Sequence, residues 1–170
     1  KLTKNNPAAL KLNDDVFFDK KNKIVLSVDT YNEKVHYIDF KKPGLLIKKI
    51  IRSSISDLIC KGVKPKYIFI SGSGDQKHFN KKNLSLISRS INEEQKKYGI
   101  KLSGGDTTKS KHSSFTIVSL GYSSKIIKRN NVSIKDDIYV TGNLGDSFIG
   151  LNILRGRSVR ISCIDFSMCK

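Results

Sequence analysis

The sequence is poor in the residues that mark several common classes of protein. It has no tryptophan and only three cysteines, Cys60, Cys163 and Cys169. Three scattered cysteines are too few for a disulfide framework or a four-ligand zinc site. There is also no run of about 18 apolar residues, as a transmembrane helix needs, and no signal-peptide pattern. These absences predict a soluble cytoplasmic protein with unpaired thiols and no membrane partner.

Acidic residues are scarce as well. Fifteen Asp and Glu stand against 32 Lys and Arg, which gives a formal net charge of +17. Such an excess is typical of proteins that bind nucleic acid or acidic membranes. Here the lysines are spread along the whole chain without interleaved aromatics, so a general drift of composition toward Lys, Ile and Asn explains the charge. Nucleic acid is therefore a disfavoured partner, whereas a polyphosphate ligand is favoured, with salt weakening the attraction.

Twelve of the acidic residues are Asp, and several lie where an extended segment is predicted to begin or end. Asp15 precedes the run 16–18, and Asp29 follows the apolar run 24–28. These two runs flank a polar turn and predict a β-hairpin. Aspartate commonly caps helices and starts turns, but its short carboxylate is also a preferred ligand of Mg²⁺ and Ca²⁺.

Two amphipathic helices follow from apolar residues spaced three and four apart. The first opens at Pro43-Gly44, carries its apolar stripe over 46–61 and stops at Gly62. Asp57 borders this stripe, so it is either a surface residue or a carboxylate that needs a cation. The second helix covers 81–97, with an inner stripe of Leu84, Ile87, Ile91 and Tyr98. The remaining predicted elements are extended segments over 35–38, 66–71, 114–122 and 138–140 and a short helix over 148–154.

Between the second helix and the strand at 114–122 lies Leu102–Thr108, which predicts a tight connection at the edge of the sheet. Gly104 and Gly105 have no Cβ, so their N–H groups can approach an anion, and Asp106 supplies a carboxylate. An ordinary Gly-Gly-Asp turn explains the same residues. A second glycine-rich turn, 141–147, has neither P-loop nor dinucleotide-binding spacing.

The order of these elements predicts an α+β fold in which helices pack on one face of a mixed β-sheet. Asp15, Asp29, Asp57 and Asp106 then form a set of four carboxylates that would repel one another unless divalent cations lay between them. No Ser-His or Cys-His pair is indicated, so no catalytic side chain is assigned. A divalent cation together with glycine-rich turns indicates a binding site for the phosphates of a nucleotide.

Five segments also resemble, in order and spacing, the motifs of the thiamine-monophosphate kinase family, which belongs to the aminoimidazole ribonucleotide synthetase-like superfamily. The resemblance runs from about residue 12 to residue 154. Each motif is weak alone, and five in the same order are specific. The segments are Asn13–Asp15, Ser27–Thr30 with Val35–Tyr37, Ser56–Leu58, Ser103–Thr108 and Tyr139–Ser147.

The resemblance implies ATP- and Mg²⁺-dependent conversion of thiamine monophosphate to thiamine diphosphate by direct in-line transfer. It implies Mg²⁺ ligands at Asp15, Ser27, Val28, Asp29, Asp57 and Asp106. It implies ATP contacts from Tyr98, Gly105, Asp106 and Arg129, and a substrate contact from His36. Since Val28 stands where the family usually has a hydroxyl residue, any contact there must come from its backbone. Asn13 and Lys34 also depart from the family pattern, since each replaces a glycine.

The resemblance further implies that residues 1–154 are an amino-terminal ATP/Mg-binding and dimerisation domain and that 155–170 are a linker or truncated tail. The carboxy-terminal domain of the family is absent, so the chain is expected to be a fragment that does not turn over alone. A homodimer through the sheet is the implied assembly. Three alternatives remain: another ATP-dependent enzyme of the superfamily, a basic nucleic-acid-binding module, and a dimerisation domain without catalysis.

Overall fold

The computed structural model describes residues 3–130, 132–140 and 142–157. The strands are β1 (Phe17–Asp19), β2 (Ile24–Asn32), β3 (Pro65–Gly74), β4 (Lys101–Lys109) and β5 (Ser114–Tyr122). The helices are α1 (Pro43–Cys60), α2 (Lys81–Tyr98) and α3 (Asp146–Leu154), and a short 3-10 segment covers Pro7–Leu12. None of the helices in these ranges is both long and apolar enough to cross a membrane.

The five strands form one mixed sheet in the order β1-β2-β5-β3-β4. β1 and β2 form the predicted hairpin, β5 is antiparallel to both of its neighbours, and β3 is parallel to β4. Strand β2 continues to Asn32, which lies opposite Ser114. The prediction that the strand ends at Asp29 is therefore wrong, because pairing with β5 extends it by three residues.

Helices α1 and α2 pack on one face of this sheet, which confirms the predicted α+β class. The core between them is aliphatic, since apolar side chains on one side of α1 meet the inward residues of the strands. Burying each such isoleucine contributes roughly 1.5–3 kcal/mol. Its fully buried members include Ile47, Ile50, Ile51, Ile55, Ile68 and Ile117.

Helix α1 ends in a Schellman motif. The N–H of Val63 donates to the carbonyl of Leu58, and the N–H of Gly62 donates to that of Ile59, with φ +71° at Gly62. A residue with a Cβ is strained at that φ, so glycine stops the helix as predicted. Val63 and Leu58 are also buried in the same small cluster.

Helix α2 begins at Asn80, whose side chain accepts a hydrogen bond from the N–H of Asn83. Its inner stripe is confirmed for Ile87, Ile91 and Tyr98, which pack against the core. Leu84 lies on the same side of the helix as Ile87 and Ile91 but is 47% exposed. It lines an open groove of about 580 Å³ between α2 and the neighbouring strands.

The segment Leu102–Thr108 is not a tight turn, as was predicted, but the middle of edge strand β4. Its backbone is satisfied by parallel pairing with β3, in which Gly105 lies opposite Ile70. A Cβ on Gly105 would lie 1.8 Å from the carbonyl oxygen of Ile70. Glycine is therefore required here by the close approach of two strands, and not by a turn.

Two other predicted strands are wrong. Residues 35–38 contribute only an isolated bridge between Glu33 and Tyr37, and residues 138–140 form no strand. Neither segment has a neighbouring strand to complete its hydrogen bonds among the described residues.

The chain divides into two compact units, 1–131 and 132–170. The second contains α3, which begins at Asp146, two residues before the predicted start. Most of the predicted linker or tail at 155–170 lies outside the described residues.

Candidate functional site

A group of polar side chains, Ser27, Asp29 and Asp57, lies between β2 and α1 and is called the polar seam below. The pairing of β1 with β2 ends at Leu26, so the outer edge of β2 beyond this point has no neighbouring strand in the described part of the chain. Ser27 is buried and its Oγ donates to Oδ2 of Asp57 on α1 at 2.7 Å. The side of α1 that borders the apolar stripe therefore presents a carboxylate to the sheet.

Asp29 is the second carboxylate of this seam, and it lies two residues beyond Ser27 on the same side of β2. Partial burial raises its pKa above the usual value, and the negative charges of Asp57 and Asp15 raise it further. Hydrogen bonds from Ser54 and Tyr31 act in the opposite direction. Three of the four predicted carboxylates are thus near enough to disfavour the ionisation of one, which is the condition a bound cation relieves.

Asp14 and Asp15, which precede β1, have different environments. Asp14 is almost completely buried and pairs with the equally buried ammonium group of Lys61 at the end of α1. That contact and N–H donors from Asp15 and Arg129 lower the pKa of Asp14, although burial alone would raise it. Asp15 pairs with the guanidinium of Arg129 and lies 3.6 Å from Nζ of Lys61.

Asp106 does not join these three carboxylates. It lies on β4 in a row with Ser71 and Thr116, and the next residue in that row is Thr30 of β2. Because side chains alternate along a strand, this row faces away from the helices, whereas Asp29 faces toward them. Three strand spacings of about 4.8 Å also separate the strands of Asp106 and Asp29, about 14 Å in all.

The remaining predicted site residues are dispersed. Tyr98 lies at the end of α2, where its ring packs on the core. His36 lies beyond β2, where its Nδ1 accepts from the N–H of Asn32 at 3.0 Å. Val28 points to the open face of the sheet and is 57% exposed. Gly105 is fixed against Ile70.

The donors of the seam suit Mg²⁺, since all are oxygen atoms. Among the described residues, no three His, Cys, Asp or Glu side chains lie close enough together to hold one ion. Mg²⁺ seldom uses such an all-protein cage and is commonly bound by one or two carboxylates, water and substrate phosphates. Asp29 and Asp57, with Asp15 nearby, fit a metal whose shell a phosphate completes.

Sequence reasoning missed the residues that support these carboxylates. Ser54 faces Asp29, and its Oγ lies 2.8 Å from Oγ of Ser119 on β5. Its spacing of three from Asp57 on a helix was the available signal, because residues three apart share a face. Lys61 and its pairing with Asp14 had no local signal.

Comparison with known proteins bears on this site. The family model of AIR synthase related protein, N-terminal domain, matches residues 5–122. The thiamine-monophosphate kinase of Haemophilus influenzae is 34% identical over 138 residues, which cover 79% of this chain and 41% of the relative. The chain therefore spans less than half the length of this relative.

Solved structures show the same fold. Thiamine monophosphate kinase from Aquifex aeolicus superposes with a TM-score of 0.77 at 24% identity, over 89% of this chain and 51% of that one. AaThiL complexed with AMPPCP and TMP superposes with a TM-score of 0.78 at 23% identity, over 91% and 52% of the two chains.

Proposed function

Because the chain belongs to the family of AIR synthase related proteins as an N-terminal domain, we propose that it is the ATP- and Mg²⁺-binding half of a thiamine-monophosphate kinase. The reaction would transfer the γ-phosphoryl group of ATP to the phosphate of thiamine monophosphate and form thiamine diphosphate. Five motifs in order and the 34% identical relative support this reaction. Since the chain spans less than half of that relative, the activity belongs to a longer polypeptide.

The main support for this function is the position of Asp15 beside the polar seam of Ser27, Asp29 and Asp57. Phosphoryl transfer needs alignment and neutralised charge more than it needs a strong base. The bound metal would supply that neutralisation at the phosphate oxygens. Ser27 keeps the carboxylate of Asp57 directed toward β2. A bound cation would favour the ionised form of Asp29, which partial burial and the charge of Asp57 disfavour.

Nucleotide contacts are proposed for Arg129, Tyr98, Gly105 and Asp106. The guanidinium of Arg129 is a permanent positive charge beside Asp15, where it can meet a phosphate. Asp106 and Gly105 lie on the exposed strand β4. Because Asp106 and Asp29 face opposite sides of the sheet and their strands are about 14 Å apart, the proposed contact of Asp106 is separate from the metal at the seam. His36, at the end of β2, is the proposed contact for thiamine monophosphate.

The open face of the sheet is the proposed surface for homodimerisation. Val28 and Phe69 expose apolar side chains there, and Oγ1 of Thr30 lies 2.9 Å from Oγ1 of Thr116 on the same face. A second copy would bury these apolar groups, which is favourable. We also assign the protein to the cytoplasm, where ATP and Mg²⁺ are available.

Calorimetric titration of this chain with AMPPCP, in the presence and absence of Mg²⁺, tests the proposal. Binding should require Mg²⁺, and Asp57→Asn should weaken it by at least about tenfold, or 1.4 kcal/mol. Asp39→Asn is the matched control, because Asp39 accepts from the N–H of Lys41 in an exposed loop away from the seam. Equal binding by the wild type and Asp57→Asn would refute the proposed metal site.

A second titration tests the acceptor. His36→Ala should weaken the binding of thiamine monophosphate and leave the affinity for Mg²⁺-AMPPCP unchanged. If both ligands bind the variant as they bind the wild type, the acceptor assignment is wrong even though the nucleotide site stands. Salt-sensitive binding of duplex DNA that is unaffected by Asp57→Asn would favour the nucleic-acid alternative.

A further inference from the structure

The two neighbouring carboxylates Asp14 and Asp15 have cationic partners of different character. Asp14 pairs with Lys61, and the two side chains are 4% and 5% exposed. Asp15 pairs with Arg129, and these side chains are 37% and 62% exposed. One pair is therefore sealed from water, and the other is open to it.

The Asp14–Lys61 pair is a fixed anchor. Lys61 lies at the end of α1, where the Schellman motif holds its backbone. Withdrawing Lys61 would leave Asp14 buried without an ionic partner, and withdrawing Asp14 would leave the buried ammonium only its longer contact of 3.6 Å to Asp15. Both changes are unfavourable. Asp14 therefore has a structural role, and its ion pair with Lys61 keeps the adjacent Asp15 beside the seam.

The guanidinium of Arg129 is free to leave, although its backbone is not. The N–H of Arg129 donates to Oδ2 of Asp14 at 3.3 Å, so the backbone is tethered to the fixed anchor. The side chain is long and mostly exposed, and exposed ion pairs contribute little to stability. Arg129 can therefore exchange Asp15 for another anion by side-chain rotation alone.

We propose that Arg129 is a displaceable counterion, which neutralises Asp15 in the absence of metal and transfers to the nucleotide phosphates when Mg²⁺ takes Asp15. This inference rests on the proposed function and adds a coupling to it. The metal must displace Arg129 from Asp15, and a nucleotide assists by accepting the released guanidinium. Each ligand consequently raises the affinity for the other by the same factor.

For Arg129→Gln, this coupling predicts changes of opposite sign in the affinity for the metal and in the affinity for the nucleotide. In the absence of nucleotide, Mn²⁺ should bind the variant about threefold more tightly, because an exposed competitor for Asp15 is gone. AMPPCP with Mg²⁺ should bind the variant at least about fivefold more weakly, because a phosphate contact and the coupling are lost. A residue with a purely structural role would weaken both ligands.

The experiment measures Mn²⁺ binding by electron paramagnetic resonance, with and without AMPPCP, and AMPPCP binding by calorimetry. Lys128→Gln removes the same charge from an exposed neighbouring residue and should leave the coupling unchanged. Arg129→Lys keeps the charge and should restore most of the wild-type behaviour. Circular dichroism establishes that each variant is folded.

Two results would overturn the inference, and they are distinguishable. If wild-type chain binds Mn²⁺ but Arg129→Gln binds it equally or more weakly, the counterion exchange is wrong and the proposed function stands. If wild-type chain binds neither Mn²⁺ nor AMPPCP, the proposed function fails and the inference fails with it.

Discussion

The two long edges of the sheet organise their polar groups in different ways. Along β2 the side chains are held by partners: Ser27 bonds to Asp57, and Asp29 is faced by Ser54 and Tyr31. Along β4 all nine residues are exposed. The carboxylate of Asp106 accepts a hydrogen bond from the N–H of the next residue, Thr107, at 2.8 Å.

What is fixed along β4 is the backbone. Gly105 packs against the carbonyl of Ile70 without room for a Cβ, whereas the Asp106 side chain is exposed and accepts its hydrogen bond from the adjacent backbone. Strand β2 thus presents side-chain ligands that the protein already holds in place. Strand β4 presents a rigid backbone and an exposed carboxylate that a bound ligand would have to order. Preorganised groups lose less entropy on binding.

The largest expected effect concerns the β4 backbone. Gly105→Ala should destabilise the chain by about 3 kcal/mol, because the new Cβ would overlap the backbone of β3 and force the strands apart. Urea denaturation measures the change. Gly104→Ala is the matched comparison: its Cβ would meet the ring of Phe69 at 3.1 Å, and a partly exposed side chain can move. Equal losses for the two variants would show that close strand approach is not the cause.

A smaller effect of opposite sign is expected at the β2 edge. The pKa of Asp29 is raised by burial and then by the charge of Asp57, so its ionisation opposes folding. Asp29→Asn should therefore stabilise the chain at pH 7, by less than about 1 kcal/mol given the partial exposure of the site. The same variant should bind Mn²⁺ at least about tenfold more weakly, or 1.4 kcal/mol.

The pH dependence of this gain follows from the direction of the shift. Below the unfolded pKa of about 3.9, Asp29 is protonated in both states and the variant has no advantage. The advantage should grow as the pH rises from that value and become constant above the raised folded pKa. Urea denaturation at several pH values from 3.5 to 7.5 measures it, and a gain that is largest at pH 3.5 would contradict the assignment.

The smallest effect on stability is expected for Asp106→Asn. The residue is exposed, and an amide oxygen can still accept from the N–H of Thr107, so the free energy of unfolding should change by no more than about 0.5 kcal/mol. Binding of Mg²⁺-AMPPCP should nevertheless weaken. A large loss of stability would show that Asp106 is organised by the protein, as the residues along β2 are.

The contrast between the edges also explains which elements sequence patterns could predict. The β1-β2 hairpin, both long helices and β5 have local signals, namely alternating or helical apolar spacing and a glycine stop at Gly62. Strand β4 has none, because it is exposed throughout and contains two glycines. Its extended form depends on pairing with β3, a contact that no local pattern records.

The candidate site divides in the same way. Asp15, Asp29 and Asp57 could be grouped because each borders a predicted strand or an apolar stripe. The face on which Asp106 lies could not be predicted, since a shift of one residue in register reverses the facing of a strand. The ion pairs of Lys61 and Arg129 join residues far apart in the chain, so the choice between Asp14 and Asp15 needed the three-dimensional structure.

Metal binding at the β2 edge is tested most directly by paramagnetic broadening of amide signals in the nuclear magnetic resonance spectrum of the chain. Substoichiometric Mn²⁺ should broaden the signals of Asp15, Asp29 and Asp57 first and leave those of the distant α2 residues Ser85 and Ser88 sharp. Broadening that begins at Asp106, or that affects all exposed carboxylates equally, would show that the metal does not bind specifically at the β2 edge.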